Sequence, residues 1–261
     1  MEKNNWIISD VLGAIWVAVT YLFLYVPIFV LIVFSFNNAR FPYRWVGFTL
    51  DWYRELFSSS EIWSAAQNSF FVGISAVFLS LLFSLLLVIW ASRSNRERLL
   101  VLFYPNLIIP EIVVAVGFLS LLVFLHVPLG LMSLVVAHTL LGMGYAIPII
   151  HARYAALDYR IVEASLDLGA TYPQTVVKVI IPALMPALVS AALLVFIISL
   201  DDFVLAFFCA GTSAQTLSLY IFAMIRSGVS PVVNALATLM LVVSSCLVFV
   251  FCSLQSRARI W

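Results

Sequence analysis

Residues 163–182 read EASLDLGATYPQTVVKVIIP, a charged, turn-containing island in a chain that is otherwise almost continuously apolar. Leu157, Ile161, Ala164 and Leu168 are spaced four, three and four apart, one apolar stripe of a helix. Asp158, Glu163 and Asp167 lie off that stripe. Gly169 supplies the backbone freedom that a helix end needs. Thr171-Tyr172-Pro173 restarts the chain, with Pro173 suited to a first helical position. A short helix through Val179 is expected, and Pro182 is expected to mark entry into the next span. The pattern predicts a polar helix-turn-helix between two membrane spans, facing water and suited to docking a soluble partner. The competing reading is an ordinary loop with a solvated charged face.

Composition sets the class around this island. Of 261 residues, 64% are hydrophobic and 10% charged, and mean hydropathy is +1.14. A soluble domain carries about 25% charged residues, so an integral membrane protein is expected. Runs of about 20 apolar residues cross a bilayer as helices, and helices satisfy their own backbone groups. The alternation of a β-barrel is absent. The expected fold is therefore all-α: a single polytopic membrane domain over 1–261 with six transmembrane helices and a cytoplasmic loop at 152–182. The spans read Val11–Phe36, Ala65–Trp90, Leu99–Leu125, Leu129–Ile150, Ala183–Phe208 and Val232–Leu254. The first is too long for a signal-peptide core and is read as a retained span.

Basic residues orient these spans. With the N-terminus inside, the cytoplasmic segments hold Lys3, Arg93, Arg96, Arg98, Arg153, Arg160, Lys178, Arg257 and Arg259. The outer segments hold Arg40, Arg44, Arg54 and Arg226. Nine against four satisfies the positive-inside rule. Both termini and the 163–182 island are then cytoplasmic.

Other features exclude function classes. A net charge of +1 without a dense basic cluster gives no reason to expect a nucleic-acid partner. Cys209, Cys246 and Cys252 have neither the number nor the spacing of a metal site, and read as small buried hydrophobes. No Walker phosphate loop is present. The chain is not expected to be an enzyme or to hold a cofactor; ATP and Mg, if used, belong to a partner.

Three acids fall inside spans: Glu111 near the middle of the third, and Asp201 and Asp202 in the outer half of the fifth. A mid-membrane acid costs about 2.5–3.5 kcal/mol on insertion scales and usually marks a substrate path. No Lys or Arg lies in any span, so a cationic solute or a second subunit would supply the opposite charge. Pro105 and Pro110 should disturb the helix before Glu111, and broken helices recur at transporter binding sites. The bland readings are a neutral or amide-bonded Glu111 and an aspartate capping a helix break. His138 and His151 read as packing or interface residues rather than ligands. Trp45, Trp52 and Tyr53 are either an interfacial belt or an outer face that meets a substrate carrier.

The island resembles the EAA loop of ABC-importer permeases in Glu163-Ala164-Ser165, Gly169 and Val179-x-Ile181-Pro182. It departs from the usual pattern at Ser165, Val179 and Ile181, where Ala, Ile and Leu are commoner. SFNNARF at 35–41, WVGFTLDWY at 45–53, PEIV at 110–113, SLDD at 199–202 and GVSPVVNALATLML at 228–241 extend the resemblance. Together they are similar to spermidine/putrescine ABC transporter permeases, most of all the second of the two permease subunits. Glu111 stands where that family commonly has Asp.

The resemblance implies a type I (MetI-like) importer fold in a bacterial inner membrane. It implies a second permease, two ATPase subunits and a periplasmic polyamine-binding protein as partners. It implies that Glu163, Ala164, Gly169 and Pro182 couple to the ATPase, and that Glu111, Asp201, Asp202 and Trp45 belong to the substrate path. Two other readings stand beside it: a permease for another solute, and a stand-alone secondary transporter or channel.

Overall fold

The computed structural model describes residues 2–39, 44–228 and 231–258, with side chains from residue 12 to 249 of these and at Ser253. Arg40 and Arg259 lie outside the described residues, as do the side chains of Lys3, Cys252 and Arg257. Among the described residues there is no strand, only an isolated bridge between Asn37 and Phe48. The architecture is all-helical, as expected.

Among the described residues, five helical stretches are long and apolar enough to cross a bilayer: Leu12–Phe34, Ser60–Arg93, Leu131–Ala155, Tyr172–Asp201 and Pro231–Phe249. A sixth span exists only as a bent pair, a 3-10 helix at Glu97–Leu107 and an α-helix at Glu111–Phe124, which turn through 111°. The span read as Leu99 to Leu125 is therefore broken before Glu111, where Pro105 and Pro110 were expected to disturb it. The cause is local. Pro110 lacks an N–H and disfavours helical geometry at Ile109. The amides of Ile108 and Ile109 both turn back to the Pro105 carbonyl.

The chain forms two compact units. One comprises residues 1–59 and 223–245. It holds helix α1 (Glu2–Phe34), helix α2 (Asp51–Ser58) and the first part of α11 (Pro231–Ala258). The segment after α1 is stitched by buried polar groups. Asn37 donates to the Arg44 carbonyl (2.8 Å) and accepts from the Val46 amide (2.9 Å). The Trp52 indole donates to the Asn37 carbonyl, and the Ser35 and Tyr53 hydroxyls meet at 2.8 Å. The Phe36 ring stacks on Phe48. Trp52 and Tyr53 are thus ring-and-hydroxyl struts of this segment.

The other unit comprises residues 60–222 and 246–261. It is built on α3 (Ser60–Arg93), α4 (Glu111–Phe124), α5 (Leu131–Ala155), α6 (Tyr159–Asp167), α7 (Tyr172–Thr175), α8 (Ile181–Asp201), α9 (Val204–Cys209) and the first part of α10 (Leu217–Ser227). Its core is two clusters. Val72, Leu122, Leu134, Leu205 and Cys209 join α3, α4, α5 and α9. Val88, Leu100, Ile147, Ile150, Ile180 and Leu184 join α3, the 3-10 helix, α5 and α8. Small residues allow the close approach of α3, α5 and α8, as in membrane helix packing generally. Ala76, Ser80 and Ser84 on α3, Ala146 on α5 and Ala191 on α8 are buried. The Ser80 hydroxyl donates to the Thr139 carbonyl (2.9 Å).

Two further boundaries differ from expectation. The fifth span begins at Tyr172, not Ala183, because α7, a π-helical segment at Val176–Ile180 and α8 run on without a break. Pro182 removes an amide, and the Ile181 amide bonds instead to the Val176 carbonyl, five residues back. The proline thus widens one turn rather than starting a helix. At its far end the span stops at Asp201, not Phe208. Asp202 is extended (φ −63°, ψ 123°), and a separate short helix, α9, follows.

Candidate functional site

The two helix breaks of the second unit meet. Asn106, Leu107, Ile109, Glu111 and Val114 from the first break face Ile198, Asp201, Asp202, Phe203 and Val204 from the second. Leu141 and Tyr145 of α5 close the cleft between them, which has a volume of about 350 Å³. All three intramembrane acids line this one cleft, and among the described residues no Lys or Arg does.

Each acid is placed differently. Glu111 is the first residue of α4, not a mid-helix residue, because Pro110 caps the helix just before it. An acid in the first turn is favoured by the helix dipole. Its side chain meets that of Asp202. Asp201 ends α8 and is exposed. Asp202 is buried, and its carboxylate accepts from the Leu205 amide (3.2 Å, Oδ1) and the Ala206 amide (2.9 Å, Oδ2). The capping alternative is thus what Asp202 adopts. Its carbonyl also accepts from the Ser218 hydroxyl (2.6 Å).

His138 was expected to be a packing residue, and it is buried. It is more than that. Its Nδ1 meets the Ser199 hydroxyl at 2.9 Å, and its Nε2 stands 3.4 Å from Asp202 Oδ2. The acids therefore have an ionisable neighbour inside the protein. The available signal was that His138 is the one nitrogen-bearing side chain in 129–150. Asn106 was missed as well. Its side chain lies over Gly144, where a Cβ would come within 2.7 Å of it. Trp45 belongs to the other unit, half-exposed, with its ring edge-on to Phe34.

The charged island is a helix-turn-helix, α6 followed by α7. Asp158 caps α6 by accepting from the Arg160 amide (3.1 Å). Gly169 has φ +86°, the left-handed conformation that glycine adopts without strain. The Gly169 amide bonds to the Leu166 carbonyl and the Ala170 amide to the Ser165 carbonyl, the paired closure of a Schellman turn. The Gln174 side chain accepts from the Thr171 amide (2.8 Å) to start α7.

The expected apolar stripe is not the buried face. α6 turns Val162 inward, while Ile161, Ala164 and Leu168 point out; Leu168 is 89% exposed. Glu163 and Asp167 are exposed too, and neither forms an ion pair among the described residues. Pro182 lies at the start of α8 and is exposed. The loop is tied to the bundle by the Arg93 guanidinium, 4.2 Å from the Tyr172 ring centre. Near it, His151 Nε2 is 3.7 Å from Glu97 Oε2, and Nδ1 is 3.4 Å from the Tyr104 hydroxyl.

Broken spans that converge their acids in an apolar bundle, beside a structured polar loop, define a membrane transport component. Residues 89–259 match the family of binding-protein-dependent transport system inner membrane components, and the chain belongs to that family. It is 38% identical over 233 residues to the spermidine/putrescine transport system permease protein PotC of Haemophilus influenzae, covering 88% of this chain and 91% of that protein. It is 32% identical over 249 residues to the putrescine transport system permease protein PotI of Escherichia coli, covering 92% and 89%.

Among solved structures, it superposes on a chain of a bacterial ABC transporter involved in the import of the acidic polysaccharide alginate. The TM-score is 0.73 at 16% identity, over 95% of this chain and 96% of that one. A second structure of an alginate transporter, in complex with alginate pentasaccharide-bound periplasmic protein, matches at TM-score 0.72 and 16% identity, over 98% and 96%. The expected importer-permease architecture is borne out.

Proposed function

We propose that this chain is a permease subunit of an ATP-driven polyamine importer, carrying spermidine or putrescine across a bacterial inner membrane. One observation carries the reading beyond family membership: Glu111, Asp201 and Asp202 line a single cleft that no Lys or Arg among the described residues lines. A polyamine presents ammonium groups separated by methylene chains. The carboxylates suit the former, and Leu107, Leu141, Ile198 and Tyr145 suit the latter. An anionic solute would be repelled. Glu111 and Asp201 offer exposed acids, and Asp202 is a buried one. Trp45 is assigned to the substrate path by the family resemblance, and a periplasmic polyamine-binding protein delivers the substrate.

Alternating access follows from the two broken spans. Each break lets a half-helix move without unwinding a continuous one. The loop at 152–182 docks on an ATPase, with Ile161, Ala164 and Leu168 as its apolar contact and Glu163 as its charged one. Gly169 sets the angle between α6 and α7, and the widened turn before Pro182 passes that motion into α8. ATP and Mg are bound by the ATPase pair, not by this chain, which acts as a transport subunit and not as an enzyme. A second permease completes the path. Residues 1–261 serve as one permease domain, with both termini cytoplasmic, a reading that the nine-to-four distribution of basic residues supports.

The test is uptake of labelled putrescine and spermidine by the reconstituted complex with its binding protein and ATP. Saturable, ATP-dependent uptake supports the assignment. Uptake of a sugar or an anion but of neither polyamine would replace it with the other-solute reading.

A further inference from the structure

Ser199 and Asp202 lie three residues apart near the end of α8, and His138 of α5 is clamped between them. The side chains of His138 and Asp202 are 1% and 0% exposed. Nε2 of His138 has no aligned hydrogen-bond partner, although Asp202 Oδ2 is only 3.4 Å away. A buried polar atom left unsatisfied is destabilising, so a small shift that pairs these atoms is favoured.

The tautomer decides whether they can pair. With the proton on Nδ1, the Nε2 lone pair would face Oδ2, an acceptor that already takes the Ala206 amide. With the Ser199 hydroxyl donating to Nδ1, Nε2 carries the proton and aims it at Oδ2. The second arrangement leaves no acceptor facing an acceptor. Asp202 in turn meets the Glu111 side chain at the cleft. The groups form a continuous line from Ser199 through His138 and Asp202 to Glu111.

We propose that His138 is a positioning residue for the acid cleft: its Nε2–H holds the Asp202 carboxylate, and Ser199 sets the tautomer that allows this. His138 acts through Asp202 and does not touch substrate. The consequence for transport rests on the polyamine reading above; the tautomer does not.

The experiment uses the whole complex with its binding protein in proteoliposomes. Uptake of putrescine and spermidine is normalised to assembled complex. His138→Leu keeps bulk and suits the membrane but removes both nitrogens, and uptake should fall about tenfold. His138→Gln offers an amide N–H toward Asp202 and should stay within about threefold of wild type. In an Asp202→Asn background, His138→Leu should add less than about twofold, because the two act as one unit. Full uptake by His138→Leu, or equal losses with and without Asp202→Asn, would overturn the proposal.

A second measurement needs no substrate. In protein with nitrogen-labelled histidine, magnetic resonance should show His138 as the Nε2–H tautomer, and Ser199→Ala should abolish that preference. An Nδ1–H tautomer would overturn the proposal whatever the solute is. Absence of polyamine uptake by wild type, with the Nε2–H tautomer present, would instead remove only the polyamine reading.

Discussion

Ser165 and Thr175 are joined hydroxyl to hydroxyl, Oγ to Oγ1 at 3.0 Å, across the turn that carries Gly169. Thr175 is fully buried and also donates to the Thr171 carbonyl (3.3 Å). Position 165 is where the loop departs from its usual alanine, and the departure has a partner. Ser165→Ala should cost about 0.5–1.5 kcal/mol of local stability. Hydrogen exchange at the Gly169 and Ala170 amides should quicken while the complex still assembles. Unchanged exchange would mean that this bond does not hold the turn.

Gly169 has open space where a Cβ would go, so only its φ of +86° opposes substitution. Gly169→Ala should cost about 1–2 kcal/mol and lower uptake relative to ATP hydrolysis modestly. Gly169→Pro cannot reach that φ and loses the amide bond to Leu166, so it should uncouple the two almost completely. The ratio of uptake to hydrolysis in proteoliposomes reads both variants. Normal coupling in Gly169→Pro would remove the docking role of the loop.

The two adjacent aspartates should separate by stability. Asp202→Asn keeps one amide acceptor where two carboxylate oxygens now cap α9, so it should lose about 0.5–2 kcal/mol and uptake together. Asp201→Asn removes charge from an exposed position and should lower uptake without lowering the melting temperature. Glu111→Gln should behave like Asp201→Asn. Melting of the purified complex beside transport assays checks all three, and a destabilised Asp201→Asn would contradict the exposure of that residue.

Gly142 of α5 has no room for a side chain. A Cβ there would overlap the Ser80 hydroxyl and stand 2.7 Å from Val195 Cγ1. Gly142→Ala should destabilise the bundle by about 1–3 kcal/mol. Adding Ser80→Ala removes the nearest atom and should restore part of the loss, leaving the Val195 contact. No restoration would place the strain elsewhere.

Topology is tested by labelling single cysteines from outside. Positions in 37–64 and 209–231 should react, and positions in 163–178 should not. Reaction within 163–178 would invert the orientation.

The helical membrane class was legible because bilayer thickness demands runs of about 20 apolar residues, and composition exposes such runs directly. The loop was legible because Gly169 and Pro173 act on backbone conformation within a few residues. Pro105 and Pro110 announced a disturbance but not its size, because a missing amide says where a helix weakens and not how far it turns. Which face of α6 is buried was not legible. Val162 and the Ile161–Leu168 stripe are both apolar, and only packing against Leu100, Ile150 and Ile180 selects Val162. The meeting of Glu111 with Asp202, and of His138 with Ser199, lay beyond local sequence. Those residues are 61 to 91 positions apart, and only the packing of α4, α5 and α8 brings them together. The sequence by itself determined the membrane class, the loop and the acids; tertiary structure decided which acid is buried and what holds it.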